Sequence, residues 1–288
     1  MKRSLTYRIW KNKIFLFLVC LLSGITMLPL FFILFELLKK GYKQLNFSLF
    51  TEVAPTSMDA MLAKMSGHSI PGGVLNGITG GILIIGVAIL IAIPIGILTG
   101  IYLSEKPKQK FAAVVRYLTD LLQGTPSIVI GIIAYAWVVK PLYGYSALAG
   151  SVALAIMMLP LIIRSTEETL KMLPNSLKEA GLALGSSYTN VILRILLPSA
   201  FGGLFTGILL AVSRVMGETA PLMLTALGAS VVNWDIYKPT SSIPLLIWEF
   251  YNDPNLIDMI WSSSLLLLLL ILGLNYMAKR VAARWKIQ

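Results

Sequence analysis

Long apolar runs are the feature that most limits what this chain can fold into. One of them, IFLFLVCLLSGITMLPLFFILFELL at residues 14–38, contains a single charged residue. A helix of about 20 apolar residues crosses a bilayer core, and only helices and closed barrels satisfy every backbone polar group in lipid. The pattern predicts an all-α, polytopic membrane helix bundle with six transmembrane helices, at 14–38, 76–103, 127–145, 146–163, 198–228 and 259–280.

The charge content excludes an ordinary soluble protein. Only 13% of the residues are charged, against about a quarter in soluble domains, and the mean hydropathy is +0.80. The net charge of +11 could indicate a nucleic acid partner. The basic residues, however, lie in short segments between apolar runs, which is the pattern of topology signals. We therefore predict the lipid bilayer as a partner and no nucleic acid.

The first apolar run follows basic residues, as the core of a signal peptide does. It is too long for that role and lacks a clear A-x-A cleavage site, so we interpret it as a retained first span. The expected segments are a cytoplasmic tail at 1–13, the first span, an extracytoplasmic loop at 39–75, a transporter domain at 76–280 and a cytoplasmic tail at 281–288.

The distribution of Lys and Arg predicts how the spans are oriented. With a cytoplasmic N-terminus, 17 of the 24 Lys and Arg residues fall in inner segments and six in outer ones, while Arg214 lies in neither. Positive residues are enriched in cytoplasmic loops. The chain is therefore predicted to be a multi-pass protein of a prokaryotic plasma (inner) membrane with both termini in the cytoplasm.

The sequence offers little for catalysis or cofactor binding. Cys20 is the only cysteine and His68 the only histidine, so neither a disulfide nor a Cys/His metal cluster can form within the chain. A G-x-x-x-x-G-K-[ST] loop, which would cradle ATP phosphates, is absent. We predict no catalytic residue, no metal and no cofactor, and expect any ATP hydrolysis to come from a separate subunit.

Two Arg/Glu pairs inside or beside the apolar runs are candidates for function. Arg214 and Glu218 are spaced i, i+4, and Arg164 and Glu167 are spaced i, i+3, so each pair is expected on one helix face. Charges at membrane depth are costly and usually face a cavity or a partner. Either these are structural ion pairs between helices, or the arginines line an anion path, since a guanidinium fork matches tetrahedral oxyanions. In the second case the carboxylates weaken anion binding and accept a hydrogen bond from protonated phosphate, whereas sulfate carries no such proton.

A neighbouring pair is expected to matter less. Arg116 and Asp120 are also spaced i, i+4 and lie on the cytoplasmic side, where an exposed pair contributes little.

The segment at about 164–198 contains helical signals of its own. Asn175 or Ser176 is a candidate cap for a short helix, with Glu179 in its first turn and Gly185 at its end. The sequence then resembles the EAA signature of ABC-importer permeases, E-A-A, three residues, G, nine residues, I-x-L-P. The matching positions, with Gly181 in place of the second alanine, are Glu179, Ala180, Gly181, Gly185, Ile195, Leu197 and Pro198. The resemblance implies a type I ABC importer permease fold in which this helix couples to a cytoplasmic ATPase; the alternative is an ordinary amphipathic loop helix.

A wider resemblance suggests the substrate. The stretches DLLQGTPSIVIG (120–131), SALAGSVALAIMMLPLIIRSTEETLKMLP (146–174) and RVMGETAPLMLTA (214–226) are similar to the PstA family of phosphate-transport permeases, roughly over 70–228 and more weakly to the end. The sister family PstC has similar motifs. In the PstA family, the positions matching Arg164, Glu167 and Arg214 are implicated in phosphate passage.

The resemblance implies a permease subunit that forms half of the pore of an ATP-driven phosphate importer. The implied partners are a second, PstC-like permease, a PstB-like ATPase dimer and an extracytoplasmic, PstS-like phosphate-binding protein. Three alternatives stay open: an importer of another oxyanion such as sulfate, molybdate or phosphonate, a stand-alone secondary anion transporter or channel, and a membrane sensor or scaffold.

Overall fold

The computed structural model describes the backbone of residues 5–284 and the side chains of residues 7–280. The termini of both predicted cytoplasmic tails, 1–4 and 285–288, lie outside the described residues. Across the described range the chain is helical, apart from loops and one isolated bridge between Leu227 and Thr240. The main helices are α1 (Leu5–Gly41), α2 (Ser57–Ser66), α3 (Leu75–Glu105), α4 (Lys110–Gly124), α5 (Ser127–Leu142), α6 (Ala147–Met172), α7 (Asn175–Ala183), α8 (Tyr188–Val215), α9 (Ile243–Tyr251) and α10 (Ile257–Arg284).

Five of the described helices, α1, α3, α6, α8 and α10, are long and apolar enough to cross a membrane. A sixth span results if α4 and α5, which meet at 108°, are counted together. The predicted third span at 127–145 corresponds to α5, which is short and ends at Leu142. The predicted fifth span at 198–228 is displaced, because α8 begins at Tyr188 and ends at Val215.

Helix α6 lies at the centre of the bundle, and its neighbours approach it closely through small residues. On α3, Ala88, Ala92, Gly96 and Gly100 recur every four residues and are buried. A Cβ built on Gly96 would lie 2.6 Å from Cγ2 of Ile162, and one on Gly100 would lie 2.5 Å from Cβ of Thr166. Small residues at helix interfaces let backbones approach closely in membranes, where apolar burial alone does not drive helix association.

An adjacent face of α6 contacts α8 in the same way. A Cβ on Gly203 would lie 2.4 Å from Cγ2 of Thr169, and one on Gly207 would lie 2.3 Å from Cβ of Ser165. From the first contact to the second, the residue number rises on α8 and falls on α6, so the two helices are antiparallel. Arg164 on α6 and Arg214 on α8 therefore lie on neighbouring helices.

Candidate functional site

Two ion pairs form a ladder between α4 and α6. Arg116 pairs with Glu167, and Arg164 pairs with Asp120. Each helix supplies one cation and one anion. The predicted Arg116–Asp120 pair within α4 is wrong, because each of these side chains finds its partner on the facing helix.

The first rung of this ladder is buried. The Glu167 side chain is 2% exposed, and its Oε1 accepts from Arg116 Nε at 2.8 Å and Lys171 Nζ at 2.5 Å. Arg116 also donates to the backbone oxygens of Leu103 and Pro107, at 2.8 and 3.0 Å. These are charge-assisted hydrogen bonds to a shielded carboxylate. They fasten α4 to α6 and occupy carbonyls at the C-terminal end of α3.

The second rung is open to solvent. The side chains of Arg164 and Asp120 are 31% and 56% exposed. Nη2 of Arg164 donates to Oδ1 of Asp120, while Nη1 lies 3.5 Å from Oε2 of Glu167. That Oε2 atom is buried and accepts no hydrogen bond from the described residues. The guanidinium therefore stands between an exposed carboxylate and a buried oxygen with free acceptor capacity.

The other predicted pair is not a pair. Helix α8 ends at Val215, and Glu218 lies beyond it, before the short helix Ala220–Met223. The prediction that Arg214 and Glu218 share a helix face is wrong, because the helix stops between them, at the start of a stretch that contains Gly217 and Pro221. Among the described residues, neither charged side chain has a hydrogen-bond or salt-bridge partner.

Arg164 and Arg214 lie at different depths. The contacts of Gly203 with Thr169 and of Gly207 with Ser165 place Arg164 level with residue 208 of α8. Arg214 is six residues further along, which is roughly 9 Å at the helical rise of 1.5 Å per residue. The two guanidinium groups therefore belong to successive levels of the bundle.

Helix α7 confirms the short helix predicted in the segment 164–198. It begins at Asn175 after Pro174, so neither Asn175 nor Ser176 is its cap. Gly185, at φ +81°, donates to the Leu182 oxygen, and Ser186 donates to the Gly181 oxygen. This is the Schellman arrangement, which requires a left-handed residue after the helix and is why glycine is found there.

The two halves of the EAA-like signature contact each other. A Cβ built on Gly181 would lie 2.8 Å from Cδ1 of Ile195 and 3.0 Å from Cγ2 of Val191. Leu197 lines the same apolar cluster from the partly buried side, and Pro198 is exposed on α8. Glycine at 181 lets α7 approach α8 more closely than alanine does, which explains this departure from the signature.

The outer surface of α7 is free of intramolecular packing. Glu179 and Ala180 are exposed, as are Leu177 and Leu182, and Leu184 is 86% exposed. Helix α7 is held from behind, since Lys178 pairs with Glu105 at the end of α3 and lies 4.8 Å from the Tyr188 ring. An anchored helix with an exposed apolar face is suited to docking.

The comparison with known families agrees with this geometry. Residues 92–287, about two thirds of the chain, match the family described as binding-protein-dependent transport system inner membrane component.

The chain belongs to this family. It is accordingly a multi-pass inner-membrane subunit of a transport system that works with a binding protein.

Two relatives within this transport family are similar over nearly their whole length. The phosphate transport system permease protein PstA of Haemophilus influenzae is 37% identical, with 92% of this chain and 91% of the relative covered. The protein of the same name from Pasteurella multocida is 39% identical, with 93% of each covered. The PstA resemblance inferred from the motifs is thus confirmed.

A solved structure of the inward-facing MetNI methionine ABC transporter shares the fold. The TM-score is 0.63 at 19% identity, covering 73% of this chain and 94% of the other. The prediction of an ABC importer permease fold is therefore confirmed.

Motifs of the transport family indicated Arg164, Glu167 and Arg214, but sequence reasoning missed the partners that determine their surroundings. Lys171 and the exchanged pairing of Arg116 and Asp120 emerge only from the packing of α4 on α6. The available signal was the same order of charges on both helices, cation first, at spacings that fit one helix face each, because two antiparallel helices with this order bring opposite charges together.

Proposed function

We propose that this chain is the permease subunit of an ATP-driven importer of inorganic phosphate and forms half of its translocation pore. The observation that carries the proposal is the 37–39% identity, over more than nine-tenths of the chain, to permeases named for phosphate transport. The open guanidinium of Arg164 supports it, because a planar fork of donors matches a tetrahedral oxyanion.

Arg164 and Arg214 are the proposed anion contacts, at two successive levels. Glu167, which lies 3.5 Å from Arg164, keeps that guanidinium from holding the anion too tightly, and Glu218, in the chain just after α8, is proposed to do the same near Arg214. The unused Oε2 of Glu167, 3.5 Å from Arg164, can accept a hydrogen bond from the P–OH group of hydrogen phosphate. Sulfate has no proton to donate at neutral pH and meets repulsion at the same oxygen.

The energy for transport comes, in this proposal, from separate subunits. The chain itself has no phosphate-cradling loop of the ATPase kind and acts as a permease, not as an enzyme. The exposed face of α7, including Glu179, Ala180 and the loop at Gly185, docks on a PstB-like ATPase dimer. A PstC-like permease completes the pore, and a PstS-like binding protein delivers phosphate to the outer face. Both termini lie in the cytoplasm.

Reconstitution tests this function directly. Proteoliposomes containing this chain, the second permease and the ATPase are expected to accumulate labelled phosphate under one condition only. ATP must be on the side of the membrane that carries the ATPase, and the binding protein must be on the other side. Excess unlabelled phosphate should compete, and sulfate, molybdate and phosphonate should not. Uptake without ATP would indicate a stand-alone transporter or channel, and competition by another oxyanion would reassign the substrate.

A further inference from the structure

Asp120 is the member of the α4–α6 ladder that is held most loosely. Among the described side chains its partner is Arg164, and more than half of its side chain is exposed. Glu167, by contrast, is buried and surrounded by three cations, Arg116, Lys171 and Arg164. The two carboxylates beside Arg164 are therefore unequal: one is fixed by other partners and the other is free to leave.

The bond that Asp120 makes to Arg164 is of the kind that an anion makes. A carboxylate and a phosphate both present oxygens to the same guanidinium donors. Exposed ion pairs are weak and screened by salt, so little is lost when one exposed oxyanion replaces another.

We propose that Asp120 is an exchangeable counter-ion that occupies Arg164 when no phosphate is present and competes with phosphate for it. This inference rests on the proposed function. Displacement of Asp120 admits phosphate, and its return helps phosphate to leave. Asp120 is therefore a positioning residue that sets how tightly Arg164 binds phosphate.

The fold allows this exchange while the buried Arg116–Glu167 ion pair stays intact. Arg116, one turn earlier on α4, stays fixed to Glu167 and to the end of α3. Asp120 lies in the last turns of α4, just before the 108° bend into α5. A small movement of that end of the helix separates Asp120 from Arg164 while the buried rung holds.

The test measures phosphate binding by the permease itself. Labelled inorganic phosphate is equilibrated by dialysis with the purified complex of both permeases and the ATPase, without the binding protein. Asp120→Asn is expected to bind phosphate about two- to fivefold more tightly than wild type, the size expected for removal of a competing exposed ion pair. Uptake at saturating phosphate should fall by a similar factor, because release is slower.

A matched control removes an adjacent charge. Glu168 is exposed and forms no salt bridge among the described residues, although its charge acts on Arg164 from one helical turn away, so Glu168→Gln should change phosphate affinity less than Asp120→Asn does. Asp120→Glu, which keeps the carboxylate, should do the same. If Asp120→Asn does not assemble, Asp120→Ser takes its place with the same expectation.

The sign of the change separates the two possible roles. A purely structural ion pair would give Asp120→Asn a lower melting temperature with unchanged or weaker phosphate binding, and this result would overturn the proposal. Arg164→Ala provides the second comparison. If Arg164→Ala loses binding and Asp120→Asn binds as wild type, only the counter-ion role is wrong. If Arg164→Ala binds phosphate normally, the proposed path through Arg164 is wrong as well.

Discussion

At the scale of single residues, the ladder assigns different tasks to side chains that the sequence presents as equals. Glu167 and Arg164 are three residues apart, yet one is buried under several donors and the other is open. The difference arises from what faces them on α4. A buried carboxylate is stable only when it is paired and hydrogen-bonded, and Arg116 and Lys171 meet that requirement for Glu167.

Glu167→Gln is therefore expected to destabilise the folded subunit. The substitution leaves Arg116 and Lys171 beside a neutral amide, and breaking one partner out of a buried ion pair costs about 3 kcal/mol. Thermal unfolding of the purified complex should show a clear drop in melting temperature. Glu168 lies on the exposed side of the same helix turn, so Glu168→Gln should melt like wild type. Equal shifts in both variants would contradict the assignment of Glu167 as a buried ion-pair partner that stabilises the fold.

The sequence predicted only some of the ion pairs between α4 and α6, for a physical reason. Helical spacing shows which residues share a face, so Arg164 and Glu167 could be identified as a pair. It does not show which helix faces that pair, and the exposed pairing of Arg116 with Asp120 was the default expectation. Packing favoured the cross-helix pairs because only these shield a carboxylate and satisfy the carbonyls of Leu103 and Pro107.

At the scale of helices, apolar length predicted the spans well and their ends less well. Helix α8 ends at Val215 because the chain enters the Gly217–Pro221 break, where proline cannot donate a backbone hydrogen bond. Helix α4 was not predicted as a helix, since its amphipathic pattern is too polar for a span. The helix in the 164–198 segment was predictable because its end is set by a local signal, Gly185 in the left-handed conformation.

The small-residue contacts between α6 and α8 lead to a prediction at this scale. Gly207→Ala should destabilise the bundle by about 1–3 kcal/mol, the usual cost of overpacking, because the new Cβ would lie 2.3 Å from Cβ of Ser165. Gly202→Ala on the same helix meets nothing within 4 Å and should be neutral or slightly stabilising. Detergent-resistant assembly and melting temperature measure both, and a harmless Gly207→Ala would show that the close approach is not required.

At the scale of the whole molecule, two of the described helices, α1 and α7, leave apolar surfaces exposed. Helix α1 is exposed along its apolar length, as suits contact with lipid or another subunit. Helix α7 also presents an exposed apolar face, and the Lys178–Glu105 ion pair holds this helix against α3. Since α3, α6 and α8 are in close contact, we expect movement of α7 in the proposed importer to reach the helices that carry Arg164 and Arg214.

The central claim is that these two guanidinium groups form successive contacts along a phosphate path. Its most direct test is ATP-driven uptake of labelled phosphate by complexes containing Arg164→Ala, Arg214→Ala or both, after each complex is shown to assemble and to hydrolyse ATP. Each single variant is expected to lose at least about tenfold in uptake, equivalent to about 1.4 kcal/mol, and the double variant should be inactive. Normal phosphate uptake by an assembled double variant would contradict the account.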